Sequence, residues 1–217
     1  MERQIYSSTS EEHGIAALKD SDRFIYSVGV STGGIAEARM AKTSATRKII
    51  ATTLDREGAK FAEKQWKDAG LLDQIAIKIE DVSAPLPYPH EHFDFIYARL
   101  VLHYLPKPSL KRALEELYRI LKKEGRLFVV VRSDESLEIK KNSIFDPSTG
   151  MTTYTSQGHS YSRYFHTPES IQAYLVASGF QIQHVKIYEE QLCTDFHRTL
   201  PSEQIDVLIE VLATKSF

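Results

Sequence analysis

The chain has 217 residues, 26% of them charged, and a net charge of −2. This is ordinary globular composition with enough length for a sizeable core, and no basic excess argues for nucleic acid as a partner. A single cysteine, Cys193, excludes an intrachain disulfide and a cysteine-built metal cluster, and it fits a reducing, cytoplasmic setting. The opening residues carry no apolar run, so no signal peptide is expected, and no window approaches a membrane span. No repeat or low-complexity tract breaks the chain, so one domain over 1–217 is the simplest reading.

A short helix is expected from Ser10-Glu11-Glu12, with Ile15, Ala16 and Leu18 facing inward, closing an N-terminal segment over 1–22. Phe24–Val28 is an apolar strand that ends in Gly29. The small-residue stretch Val30-Ser31-Thr32-Gly33-Gly34 follows, and a helix runs from there to Lys42. A strand, a glycine turn and a helix N-terminus in that order allow backbone N–H groups to approach a ligand. The same order serves equally well to reverse the chain.

Ile49–Thr53 is β-branched and apolar, hence a second strand. Asp55 is placed to cap a helix over Arg56–Ala69, and Gly70 stops it. Ile75–Ile79 is the third strand. The three prolines of Pro85-Leu86-Pro87-Tyr88-Pro89 make 82–92 a loop. Phe93–Tyr97 is the fourth strand. Leu110–Lys122 is an amphipathic helix closed by Gly125, and Leu127–Val131 is a fully apolar fifth strand, the pattern of burial on both faces.

Residues 134–162 show little period, and a structureless stretch of that length is expected to be functional or disordered. Thr167 caps a helix with Pro168 at its first position and Gly179 at its end. Phe180–Tyr188 alternates as a strand. Residues 205–213 suit a last strand, although 206–212 also read as helix. The whole is an alternating β/α chain. It predicts an α/β, doubly wound, mostly parallel seven-stranded sheet with helices on both faces and ligands at the C-terminal strand edge.

Four segments, in order, resemble class I S-adenosylmethionine-dependent methyltransferases of the small-molecule type. They are Val28-Gly29-Val30-Ser31-Thr32-Gly33-Gly34; residues 49–62; Asp81–Tyr88 with Phe93-Asp94-Phe95-Ile96-Tyr97; and Leu102-His103-Tyr104-Leu105 with Leu117–Lys122 and Gly125-Arg126-Leu127. The resemblance implies a Rossmann-like methyltransferase fold, S-adenosylmethionine as cofactor, S-adenosylhomocysteine as product and a small-molecule acceptor. It implies that Gly29, Ser31 and Gly33 approach the methionine part and that Thr53 and Leu54 meet ribose and adenine. Asp81 and Val82 would reach the adenine amino group and ring, and Ala98 and Arg99 would flank the methionine; Asp81 also reads as a turn-capping acid, and Arg99 equally as a surface or ion-pair residue.

Three departures weaken the likeness. Ser27 stands where the family carries an acid, Ser31 where it has its second glycine, and Thr53 where an acid usually meets the ribose. A catalytically inactive scaffold of the same fold is therefore the alternative. A dinucleotide enzyme fits less well, because the Leu-Pro and Phe-Asp runs are no part of that fingerprint.

Methyl transfer from a sulfonium needs positioning and, for a protonated nucleophile, a base. The candidate bases are His103, His159 and His166. His103 reads as a base lining the pocket or, in preference, as a packing residue at a helix start. Tyr154, Tyr161 and Arg163 belong to the densest aromatic and cationic cluster. It lies in 134–166, where the family carries its substrate-covering insertion, and it reads as acceptor-binding or as a tyrosine-rich surface loop.

Overall fold

Alternation along β4 (Phe93–Arg99) shows how the layers form. Ile96 and Ala98 face one side, and Phe95 and Tyr97 face the other, as strand period requires. The first face packs on α4 (Lys107–Ile120) and α5 (Pro168–Ala177) through Leu110, Leu114, Leu117, Ile171 and Leu175. The second packs on α2 (Ile35–Lys42) and α3 (Arg56–Asp68) through Met40, Ala41, Ala62 and Trp66. Side chains such as Phe95, Ile96 and Trp66 are almost wholly buried, each worth about 1.5–3 kcal/mol of apolar transfer. This is a computed structural model, and it describes residues 6, 8–30, 32–136, 142–156, 158–194 and 198–216.

The main sheet has seven strands. With β1 (Phe24–Val28), β2 (Lys48–Thr53), β3 (Ile75–Ile79), β5 (Leu121–Arg132), β9 (Phe180–Cys193) and β10 (Pro201–Lys215), the order is β3-β2-β1-β4-β5-β10-β9. Strands β1 to β5 pair in parallel, and β10 runs antiparallel to both β5 and β9. The order turns at β1, which puts the ends of β1 and β4 side by side at the C-terminal edge. The doubly wound, mostly parallel sheet expected from the pattern is present. The 205–213 stretch is strand because β5 and β9 flank it on both sides.

Several boundaries differ from expectation. The helix expected to reach Lys122 ends at Ile120, and β5 begins at Leu121. Leu121 pairs with Phe93 and Arg126 with Phe95, so the residues between bulge outward, with Glu124 at φ 61°. The helix α1 (Thr9–Ala16) starts one residue early because Ser8 caps it, accepting from the Glu11 N–H. Its buried residues are Ser10, Glu11 and Gly14; Ile15 and Leu18 pack half-buried against the core as expected, whereas Ala16 is exposed. Gly14 is where α1 rests on the rings of Tyr97 and Phe128, since a Cβ there would collide with both.

The stretch expected to be without structure is an antiparallel meander over much of its length. It comprises β6 (Ile144–Asp146), β7 (Met151–Ser156) and β8 (His159–Arg163). Its signal is faint because Thr, Ser and Tyr replace the aliphatic alternation a sheet on a core would show. Among the described residues no helix is long and apolar enough to cross a membrane.

Candidate functional site

At the end of β1 the chain turns at Gly29, with φ 72°. A Cβ there would lie 2.5 Å from a methyl of Val101, so the turn rests directly on the segment that follows β4. Gly33 and Gly34 also have positive φ, and the indole N–H of Trp66 donates to the Gly34 carbonyl at 2.9 Å, pinning the start of α2. Ser31 lies outside the described residues.

Ser27 is buried and donates to Glu37 Oε1 of α2 at 2.6 Å. The carboxyl that β1 lacks is thus brought beside Ser27 by the first turn of the next helix. Burial raises the Glu37 pKa, and its Oε2 has no partner; nor has the equally buried Tyr97 hydroxyl.

The β2 and β3 ends are simpler. Thr53 Oγ1 accepts from the Asp55 N–H at 3.1 Å, and Asp55 caps α3 by accepting from Glu57 N at 3.0 Å. Leu54 is 68% exposed at this edge. Asp81 Oδ1 accepts from the Ser83 N–H and hydroxyl, both at 2.8 Å, which leaves Oδ2 to solvent. Val82 is buried in the core beside it. An exposed Leu54, an open Asp81 oxygen and a threonine hydroxyl whose hydrogen is uncommitted fit an adenosine, and the positive-φ glycines fit a close ligand approach.

The ends of β4, β5 and β9 present side chains instead of turns. Ala98 is fully buried in the core. Arg99 is buried and donates to Ser10 Oγ at 2.6 Å and Ser8 Oγ at 2.8 Å, with Glu190 Oε1 at 3.4 Å. Glu190 also accepts from the Ser8 hydroxyl at 2.6 Å and the Ser10 N–H at 2.9 Å. Arg198 pairs with Glu11, which Arg39 also meets at 2.9 Å. This ion cluster clamps α1 across the sheet edge.

Behind it lies a cavity of about 210 Å³ walled by Ser8, Arg99, Leu100, His103, Tyr104, Arg132, Glu190, Leu192, Cys193 and Arg198. A second cavity of about 460 Å³ shares Arg132, Leu192 and Cys193 with it and extends to Tyr154, Tyr161 and Arg163.

The aromatic and cationic cluster is real in three dimensions. The Arg163 guanidinium lies 5.5, 5.5 and 5.4 Å from the ring centres of Tyr104, Tyr154 and Tyr161, and it bonds the Tyr154 hydroxyl. Arg132 pairs with Asp206. The three histidines separate clearly. His159 is exposed on β8 and borders neither cavity. His166 is buried, meets Ser170 Oγ at 3.2 Å, and is pushed down to about 3 by burial. His103 is buried on the cavity wall. Burial, then Arg132, Arg163 and His166, hold its pKa well below the usual histidine value.

The residue reading missed Ser8, Arg132, Glu190, Leu192 and Arg198. None stands in a local motif; the pairing of β10 with β5 and β9 brings Arg132, Glu190 and Leu192 together, and α1 brings Ser8 to them. It also missed Tyr104, which adjacency to His103 marks. Among the described residues no group of His, Cys, Asp and Glu could hold a metal.

A family model described as a methyltransferase domain matches residues 26–129. The sheet has the Rossmann-like methyltransferase fold, and residues 26–129 are similar to a methyltransferase domain. A curated relative, the ubiquinone/menaquinone biosynthesis C-methyltransferase UbiE of Sinorhizobium fredii (strain NBRC 101917 / NGR234), is 30% identical over 128 residues, covering 58% of this chain and 48% of that protein. The chain therefore spans about half the length of the curated relative it matches.

Two solved structures share the fold. The PH0226 protein of Pyrococcus horikoshii OT3 has TM-score 0.74 at 10% identity, covering 96% of this chain and 88% of that one. An S-adenosylmethionine-dependent methyltransferase of Methanosarcina mazei has TM-score 0.70 at 19% identity, covering 93% and 96%. Residues 26–129 thus resemble a methyltransferase domain, and the fold resembles that of class I S-adenosylmethionine-dependent methyltransferases.

Proposed function

We propose that the protein transfers a methyl group from S-adenosylmethionine to a small-molecule acceptor, mainly by positioning. The observation that carries this is the close approach of Gly29 to Val101, whose chain neighbours Arg99, Leu100, His103 and Tyr104 wall the smaller cavity. Gly29, Ser31, Gly33, Thr53, Leu54, Asp81 and Val82 would hold the cofactor, with Asp81 Oδ2 accepting from the adenine amino group. When bound, the cofactor supplies an electrophilic methyl group and leaves as S-adenosylhomocysteine. Arg99 supports the site indirectly, since its guanidinium is engaged with Ser8, Ser10 and Glu190.

The acceptor would enter beneath the 134–166 insertion, toward the two joined cavities. A combined space of this size, with Tyr104, Tyr154 and Tyr161 on its border, suits a small aromatic or polar molecule.

Calorimetry with S-adenosylhomocysteine tests the reading. Saturable binding is expected, weakened in Asp81→Ala. Absence of heat at about millimolar ligand, which corresponds to weaker than about −4 kcal/mol, sinks it.

A second reading, a scaffold that has lost cofactor affinity, is favoured by one observation. Thr53 Oγ1 and Asp81 Oδ1 are already used in local turns, and no acid stands on β1. A folded protein that does not bind S-adenosylhomocysteine selects it.

A further inference from the structure

The main sheet has two outer strands, and they are finished differently. β3 is 5 residues long and carries the exposed Lys78, a common protection of a sheet edge. β9 is 14 residues long and contains no proline. Its register with β10 breaks between Ile182 and His184 and again beyond Gln191, but residues 185–191 pair without interruption. Its lysine does not guard the edge, because Lys186 Nζ turns back to Glu210 of β10 at 3.5 Å. Among the described residues no strand and no side chain bonds the outer N–H and C=O groups of this stretch.

An open strand edge of this kind takes up another strand, and the side chains select which. Val185, Ile187 and Glu189 share the face toward α5, where Ile187 is 49% exposed. The charges along the stretch are divided. His184 and Lys186 stand at its start, and Glu189 and Glu190 at its end. Glu190 is turned to Arg99 beneath α1, so Glu189 is the acid left to solvent. A parallel strand of the same sequence would set like charge on like. An antiparallel one lays the cationic half of each strand along the acidic half of the other, which is self-complementarity under a two-fold axis.

We infer that β9 pairs antiparallel with β9 of a second copy of this chain, about a two-fold axis at Ile187. In that register Ile187 meets its own copy and is covered from water. Val185 lies opposite Glu189 of the copy and His184 opposite its Glu190. Lys186 lies opposite the ring of the copy's Tyr188, a step from both acids. The paired stretch includes Glu190 and leads into Leu192, which wall the smaller cavity, so the copy braces that wall. The pairing does not depend on the methyl-transfer reading.

Sedimentation velocity of the full chain tests it. At about 50 μM, a concentration that populates an interface of micromolar affinity, the parent is expected to sediment at twice the chain mass. Ile187→Lys sets two ammonium groups on the axis and should weaken association at least about tenfold, with an unchanged far-ultraviolet circular dichroism spectrum. Ile79→Lys, on the opposite edge strand, should associate as the parent does. Ile187→Cys combined with Cys193→Ser should give a disulfide-linked dimer under mild oxidation, since directly opposed strand residues have Cα atoms about 4.5–5.5 Å apart, within the range a disulfide spans. A parent that stays monomeric overturns the inference. So does a dimer that survives Ile187→Lys, one lost equally in Ile79→Lys, or the absence of the cross-link at position 187. The mass of the parent protein needs no variant to fold.

Discussion

The two halves of the C-terminal edge are built on different principles. Around β1, β2 and β3 the polar groups are satisfied within a few residues. Asp55 caps its own helix, Asp81 closes its own turn, and Thr53 accepts from residue 55. Around β4, β5 and β9 the partners are far apart in the chain. Arg99 meets Ser8 and Glu190, Arg132 meets Asp206, and Arg198 meets Glu11. On the proposed function, the first half would present backbone and short turns to a cofactor that is the same in every turnover. The second would present buried charges and a bare imidazole, whose identities can vary with the acceptor without disturbing the turns.

The largest effect is expected where the long-range half is cut. Arg99→Ala leaves the buried Glu190 carboxylate without its charged partner and should cost about 3–5 kcal/mol in urea unfolding. The pair Arg99→Met with Glu190→Leu should recover most of that loss. If Arg99→Ala alone were nearly neutral, the clamp of α1 on the sheet edge would not be a source of stability.

Gly29→Ala attacks the seam between the halves. It combines a left-handed backbone with a Cβ driven into Val101, for about 2–4 kcal/mol. S-adenosylhomocysteine affinity should fall with it even under conditions where the variant is fully folded. Retained affinity would separate the turn from the cofactor.

Two buried carboxyls sharpen the contrast through pH. Glu37 meets one hydroxyl, and burial raises its pKa in the folded state. Its protonated form is the one folding prefers, so the parent loses stability relative to Glu37→Gln as pH rises above about 4.3, the unfolded value. Glu210 on β10 is the opposite case. Burial opposes its ionisation, but His13 Nδ1 at 2.6 Å, Tyr188 Oη at 2.8 Å and His184 Nε2 at 3.1 Å outweigh it and hold the pKa down. Its stabilisation is present above about 4.3 and disappears as pH falls through the lowered folded value. Urea midpoints of Glu37→Gln and Glu210→Gln against pH should therefore diverge from the parent with opposite slopes. Parallel curves would mean the two sites do not differ as described.

The smallest effect belongs to the local half. Thr53→Val removes one hydroxyl at the end of β2 and should weaken S-adenosylhomocysteine by about 0.5–1.5 kcal/mol, with little change in folding. A loss of a hundredfold or more would place greater weight on Thr53 than a single hydrogen bond carries.

Legibility followed the same division. Phe24–Val28 with Gly29, Asp55 at its helix cap and Thr167 before Pro168 were readable because each is a local pattern with a local cause. The acceptor side was readable only as composition. Tyr154, Tyr161 and Arg163 stood out by type, and the structure brings them around one guanidinium together with Tyr104. His159 and His166, alike in type, were indistinguishable from His103 until the structure left His159 exposed and set His103, but not the equally buried His166, on a cavity wall. The meander of β6 to β8 was invisible because its polar strands lack the alternation that marks a sheet resting on a core.

Alone, the sequence determined the β/α alternation, the glycine turn and the likeness to class I methyltransferases, since each rests on contacts within a few residues. Only the tertiary structure decided that Glu37 stands beside Ser27, that Arg99 is a clamp, and that His103 walls a cavity with both nitrogens bare. The first depends on how α2 packs back on β1, and the others on where β9 and β10 close the sheet and where α1 lies across its edge.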